Sequence, residues 1–255
     1  MQNLAGKCVL VTGASKGIGA EIASQVGAAG AHVIAHYGSD REGAEAALDE
    51  VEPSRKKLLK ADFSDLRTVE ALWDEAVKWR DRIDVLINNA ATMLWQGGID
   101  QDLERWDEVW DLTLRINVLA PARLMRRAVR HYLQHDGGNI ITISSWTAQK
   151  GVANPENIAY GSSKAAIHNA TQTIARAYAT DGILAYVIAP GVVRTRLSEQ
   201  AAETMGGEDK VTASLAMREW VPPADVARTA LFLASGQARH LSGATLDING
   251  ASYVR

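Results

Sequence analysis

The sequence has one cysteine, Cys8, among 255 residues. An internal disulfide framework and a multi-thiolate metal site are therefore excluded. Cys8 lies in an apolar run and reads as a small core residue of a first strand. Charge of one sign is also lacking. The formal net charge is −3, which gives no support to a polyanion-binding surface or a nucleic-acid partner. No uncharged apolar run approaches membrane-spanning length, so no membrane association is expected. At Met1-Gln2-Asn3-Leu4 there is no basic stretch leading into an apolar one, hence no visible signal peptide, and a soluble cytoplasmic protein is expected. Internal repeats, low-complexity tracts and linkers are absent as well. Hydrophobic residues make up 47% of the chain, enough for one large folded domain rather than a disordered segment.

What is present is an alternation of short apolar runs and helical patterns. The expected strands are Cys8 to Val11, His32 to His36, Lys57 to Lys60, Val85 to Ile87, Asn139 to Ile143, Leu184 to Ile188 and Thr245 to Ile248. Between them, helices are expected from the glycine-rich turn to Ala29, from Arg41 to Val51, from Leu66 to Trp79 and from Leu103 to Leu133. The last of these should bend or break near Pro121. Two more should run from just after Pro155 to about Ala179 and from Pro222-Pro223 to Ala234. Residues from Arg194 to Trp220 show weak periodicity. Near-continuous apolar strands alternating with helices indicate a parallel sheet covered on both faces, a doubly wound α/β fold of about seven strands. Ligands bind such sheets beyond the carboxyl ends of the strands. Gly13, Asp62, Asn88, Ser145 and Pro190 all follow strands, so all should share one edge.

Gly13-Ala14-Ser15-Lys16-Gly17-Ile18-Gly19 joins the first strand to the first helix. Without side chains at 13, 17 and 19, phosphates can approach the backbone and the helix N-terminus. The spacing is Gly-x-x-x-Gly-x-Gly, and its strand-turn-helix setting points to a dinucleotide. After the second strand, an acid would suit the ribose hydroxyl of NAD and a base the 2′-phosphate of NADP. His36 and Tyr37 are not acidic, and Asp40 reads as a helix N-cap. Lys16, Ser39 and Arg41 together could hold a phosphate, and Tyr37 is also expected among the cofactor contacts. NADP is therefore favoured over NAD.

Ser144-Ser145 end a buried strand. Tyr160 and Lys164 are four apart and share one helix face. A hydroxyl facing a phenol with an ammonium one turn below it is a proton-transfer constellation. Taken with Thr12-Gly13-Ala14-Ser15-Lys16-Gly17-Ile18-Gly19, Asn88-Asn89-Ala90, Asn117 and Pro190-Gly191, this arrangement resembles the short-chain dehydrogenase/reductase family, 3-oxoacyl-thioester reductases among its members. The motifs run in the family's order across nearly the whole chain.

The resemblance implies a single Rossmann-type catalytic domain over residues 1–255, interconverting a ketone and a secondary alcohol with NAD(P). Tyr160 would be the general acid/base. Lys164 would tune it and hold the nicotinamide ribose, Ser145 would bind the oxyanion, and Asn117 would hold a water in a proton relay. Asp62, with Phe63, would meet the adenine, and Asn89 and Ala90 would wall the adenosine. Past Pro190 and Gly191, Val193 and Thr195 would meet the carboxamide. A homotetramer or homodimer is also implied. Two departures stand out: Ala91 replaces the usual glycine after Asn-Asn-Ala, and Ser145 and Tyr160 are more widely separated than is typical. The extra residues are expected in the loop from Gly151 to Asn157, which leaves Ser144 as an alternative to Ser145.

Other features read as structural. His131 and His135 have a metal-compatible spacing but no glutamate between them, and a solvated helix C-terminus is expected there. Arg123, Arg126, Arg127 and Arg130 form a solvated or subunit-facing flank. Trp106 and Trp110 share a packing face. The segment 194–220 is expected to be a mobile substrate lid, with Trp95 and Trp146 on the opposite wall. Substrate options are a 3-oxoacyl thioester and a sugar or polyol. A non-catalytic, cofactor-binding regulatory protein is the rival from another class.

Overall fold

The computed structural model describes residues 2–254. Seven strands form one sheet: β1 (Cys8–Val11), β2 (His32–Tyr37), β3 (Lys56–Lys60), β4 (Val85–Asn88), β5 (Gly138–Ile143), β6 (Ile183–Pro190) and β7 (Thr245–Ile248). Their order is β3-β2-β1-β4-β5-β6-β7, and every pairing is parallel. Chain direction across the sheet reverses between β1 and β4, which opens a crevice at their carboxyl ends.

Both faces are covered, which is why the strands read as apolar runs. Alternate residues of β1 separate the two layers. Val9 and Val11 pack with α1 (Gly17–Ala28) and α10 (Pro223–Ala234). Cys8 and Leu10 pack with α3 (Leu66–Arg80), α5 (Ala120–Tyr132) and α7 (Ile158–Ala177). Cys8 is buried as expected, and burial pushes its thiol up to about 12. That group is inert at neutral pH.

Several boundaries differ from the sequence expectation. The second helix, α2 (Arg41–Ala46), stops five residues before Val51. Tighter i→i+3 bonds follow, Leu48 N–H to Glu45 and Val51 N–H to Leu48, and they turn both apolar side chains into the core. The long helix expected from Leu103 to Leu133 is three segments: α4 (Leu103–Leu114), a π turn (Arg115–Leu119) and α5. Pro121 has no N–H to give the carbonyl four residues earlier, that of Asn117. The helix widens just before it, and Ala120 N–H bonds the carbonyl of Arg115. Such wide turns recur at functional sites.

A helical turn, α6 (Thr147–Lys150), follows β5 where only a loop was expected. The largest departure is α8 (Arg196–Thr204) and α9 (Glu208–Ser214), two helices in the segment of weak periodicity. Ala202, Val211, Leu215 and Trp220 form a small core of their own, against which Trp146, Val192 and Met205 pack. The neck of this excursion is closed by pairing of Val193 with Val221, with Arg194 N–H donating to the Val221 carbonyl at 3.0 Å.

His131 is buried rather than solvated: its Nε2 accepts Ile83 N–H at 3.1 Å. Its ring stacks on His135 at 4.1 Å. The arginine flank ties α5 to α3, with Arg127 pairing with Glu70 and Asp74. Among the described residues no helix is long and apolar enough to cross a membrane, and no group of three His, Cys, Asp or Glu could hold a metal ion.

Candidate active site

A cavity of about 530 Å³ lies over the carboxyl ends of the strands at the β1–β4 reversal. One end is the glycine-rich turn. Gly13 and Gly17 have φ of +66° and +55°, which side-chain-bearing residues rarely adopt. A Cβ on Gly19 would lie 2.0 Å from the Gly13 carbonyl oxygen, so only glycine lets the turn fold so close to the helix. The ends of β1 and β4 are stitched together. Thr12 Oγ1 accepts N–H bonds from Asn89 and Ala90, and Asn89 Nδ2 donates to the carbonyls of Thr12 and Gly13.

This cradle suits an anion. Aspartates cap α2, α3 and α4, through Asp40, Asp65 and Asp102. By contrast, α1 begins at Gly17, its preceding residue Lys16 offers no side-chain cap, and its first turn carries no acid. Its first N–H groups face the cavity with their partial positive charge. Gly13, Ser15, Lys16, Gly17, Ile18 and Gly19 all line the cavity. So do Asp62 and Phe63 beyond β3, and Asn89 and Ala90 beyond β4. Pro190, Gly191, Val193 and Thr195 close the far side. The Asp62 carboxylate accepts from the Ser64 hydroxyl and N–H, which hold it below its usual range.

Beyond β2 the expected phosphate contacts divide. Lys16 and Ser39 line the cavity. Asp40 lines it too, with its carboxylate accepting Gly43 N–H at 2.9 Å as a helix cap. Tyr37 and Arg41 do not line it. Tyr37 is buried at the strand end, and Arg41 points along α2 to Glu45 at 2.8 Å. His36, weighed above only for its lack of an acidic group, is buried against the turn and lines the cavity. A histidine near the end of a buried strand, beside a glycine turn, was the available signal for more.

The second end of the cavity holds the proton-transfer group. Three bonds lock α7 over the end of β5. Thr142 Oγ1 meets Thr171 Oγ1 at 2.8 Å. Ser144 Oγ donates to the Lys164 carbonyl at 3.1 Å, and Lys164 Nζ donates to the Ile143 carbonyl at 2.9 Å. Ser144 is thereby committed to structure. Ser145 Oγ accepts from Thr147 N–H and from Thr147 Oγ1, so its own hydrogen is directed elsewhere. Tyr160 shares this end of the cavity. Burial pushes its phenol up to about 12, and the nearby Ser145 hydroxyl partly opposes the shift. Lys164 Nζ lies 5.8 Å from the Tyr160 ring centre, and burial lowers the ammonium to about 8. The phenol is thus protonated at neutral pH, while the ammonium is poised close to it.

Asn117 does not line the cavity. Within the π turn its Oδ1 accepts Thr92 N–H, and its Nδ2 donates to the Thr92 carbonyl and to Ser163 Oγ. Ser163 Oγ in turn donates to the Tyr160 carbonyl at 2.7 Å. The amide therefore braces the Tyr160 turn of α7. Trp146 packs into the small cluster under α8 and α9, with Lys150 Nζ 3.6 Å from its ring centre. Neither Trp95 nor Trp146 lines the cavity.

The comparisons with known proteins agree with this geometry. The family model described as enoyl-(acyl carrier protein) reductase matches residues 13–251. The chain belongs to the short-chain dehydrogenase/reductase family. This short-chain dehydrogenase/reductase is 34% identical to 3beta-hydroxysteroid dehydrogenase 1 of Eggerthella lenta, over 97% of this chain and 94% of that one. It is 32% identical to glucose 1-dehydrogenase 2 of Bacillus subtilis, over 98% and 95%. It is 29% identical to the 3-oxoacyl-(acyl-carrier-protein) reductase of Staphylococcus aureus, over 97% and 98%. Among solved structures, a short-chain dehydrogenase of Burkholderia cenocepacia in complex with NADP superposes with a TM-score of 0.87 at 30% identity, covering 98% of this chain and 99% of that one. Members of the family are NAD(P)-dependent oxidoreductases, and the seven-stranded Rossmann-type sheet is theirs.

Proposed function

We propose that the protein interconverts a ketone and a secondary alcohol by hydride transfer, preferring NADP to NAD, with Tyr160 as the general acid/base. The observation that carries this reading is that Ser145, Tyr160 and the buried Lys164 meet at one end of a cavity whose other end is an uncapped helix N-terminus. The nicotinamide supplies the hydride in reduction and accepts it in oxidation.

The chain's own residues do the rest. Ser145 gives its free hydrogen to a carbonyl oxygen on which negative charge develops. Tyr160, still protonated at neutral pH, delivers the proton to that oxygen. Lys164 stabilises the phenolate left behind, its charge lying within one helical turn. Asn117, through Ser163, holds the Tyr160 turn in place. The preference for NADP rests on the absence of an acid at the end of β2 and on Lys16 and Ser39 beside the cavity, with the Asp40 carboxylate occupied as a cap. The neighbour crystallised with NADP supports it. A 3-oxoacyl thioester is the leading substrate class, since a relative reduces one by name. Fluorescence titration should show NADPH binding more tightly than NADH. A panel of 3-oxoacyl thioesters, hydroxysteroids and sugars, followed at the reduced-nicotinamide absorbance band, should give turnover with the thioesters first. Tighter NADH binding, or thioesters left inert where a sugar turns over, would refute those two points.

A further inference from the structure

His36 is the penultimate residue of β2, and its ring is buried against the glycine-rich turn. Nδ1 accepts the Gly13 N–H at 3.1 Å. Nε2 lies 3.1 Å from the carbonyl of Ala61, the residue after β3. A backbone N–H can only donate and a carbonyl can only accept, so these partners select one neutral tautomer with its proton on Nε2. Phe63 stacks on the ring at 4.3 Å, with the planes 7° apart. The His36 carbonyl accepts the next N–H of the turn, that of Ala14, at 2.8 Å. One residue thus holds the first two amides of the phosphate cradle and joins them to the Asp62–Phe63 wall.

We propose that His36 is a positioning residue of the cofactor site: its neutral ring latches the glycine-rich turn to the end of β3, and protonating it releases the turn and weakens cofactor binding. The inference rests on the cofactor reading given above. A protonated ring would turn an N–H toward the Gly13 N–H, donor against donor. Charged or titratable groups surround the site on every element: Lys16 in the turn, Tyr37 and Asp40 after His36, and Lys60 and Asp62 at the end of β3. None of them governs the ring. Burial holds it down to about 4, opposed only by the Ala61 bond.

The test uses NADP⁺ binding by the wild-type protein, His36→Asn and His36→Leu, measured by calorimetry from pH 3.5 to 7.5. Asparagine can place an uncharged acceptor where Nδ1 lies; leucine cannot. At pH 7.5, His36→Leu should weaken binding on the order of tenfold, and His36→Asn should restore most of it. The adenine and the 2′-phosphate also titrate, so the informative quantity is the wild-type to Asn ratio of Kd. That ratio should rise as the pH falls, by up to about 1.3-fold at pH 4.5 and about fourfold at pH 3.5. In ¹⁵N imidazole spectra His36 should be the Nε2–H tautomer with a midpoint near 4, and bound NADP⁺ should lower that midpoint by linkage. The spectra and the Asn variant decide the matter even if the Leu variant does not fold. Superimposable pH profiles for wild type and Asn, the Nδ1–H tautomer, or a midpoint unmoved by NADP⁺ would overturn the proposal. Failure of the wild type to bind NADP⁺ at all would remove the cofactor reading beneath it, while the spectra would still report the latch itself.

Discussion

Adding one methyl group at Gly19 should damage both the fold and the site. Its φ is ordinary, so the cost comes from space. The new Cβ would sit 2.0 Å from the Gly13 carbonyl oxygen and 2.4 Å from Asn89 Nδ2. Both must retreat by about 1 Å or more, and both are held in place. The Gly13 carbonyl belongs to the turn, and Asn89 Nδ2 is bonded to both Thr12 and Gly13. Overpacking costs about 1–3 kcal/mol, and the strained Asn89 bonds add about 1 kcal/mol. A loss of about 3 kcal/mol in a chain of this size lowers Tm by roughly 6–12 °C. Gly38→Ala is the matched control, because nothing lies within 4 Å of a Cβ there and its φ is not positive. It should leave Tm unchanged or raise it slightly. Thermal unfolding by circular dichroism, with an NADPH titration on the same samples, reads both effects. Gly19→Ala within 2 °C (roughly the effect of 1 kcal/mol) of wild type, with unaltered NADPH affinity, would refute the close-packing argument.

Three other outcomes follow from particular contacts. Lys164 has a folded-state value lowered from 10.5 to about 8, so below pH 8 the fold bears the cost of a buried ammonium. The unfolded chain holds that proton more tightly, and stability should rise between pH 8 and 10, by at most about 3 kcal/mol. Urea unfolding of wild type against Lys164→Met should show this rise in the wild type only; equal slopes would contradict it. The excursion over 194–220 is tied at its neck but joined at its tip through Gly206 and Gly207, both at φ +97°. Limited proteolysis there should slow when NADPH and substrate are added, and an unchanged rate would argue against a lid. Light scattering should give a homotetramer or homodimer, and a monomeric mass would refute that expectation.

The sheet was readable in the sequence because a parallel strand buried on both faces is an uninterrupted apolar run. Cys8 to Val11 and Leu184 to Ile188 had to be strands, and their glycine, asparagine and serine endings had to meet at one edge. The Ser145, Tyr160 and Lys164 grouping followed from that edge and from helical spacing. Other features depended on what only the fold brings together. α8 and α9 are short, and their few buried side chains face a small local core rather than the sheet. Arg41 looked like a phosphate ligand until α2 turned it toward Glu45. Ser144 could be separated from Ser145 only when its hydroxyl was seen on the Lys164 carbonyl. His36 was legible only as a residue that is not acidic, because its partners, Gly13 and Ala61, lie at the ends of two other strands.

The central claim is that the Tyr160 phenol transfers the proton, and Tyr160→Phe tests it most directly. The variant keeps the ring and removes only the hydroxyl. Ketone reduction at saturating NADPH should fall by about 10²–10⁴-fold, the usual worth of a positioned acid. NADPH affinity and Tm should stay close to wild type, because the cradle at Gly13 to Gly19 is untouched. A variant that keeps a tenth or more of wild-type turnover (a loss of about 1.4 kcal/mol or less in transition-state stabilisation) would contradict the account.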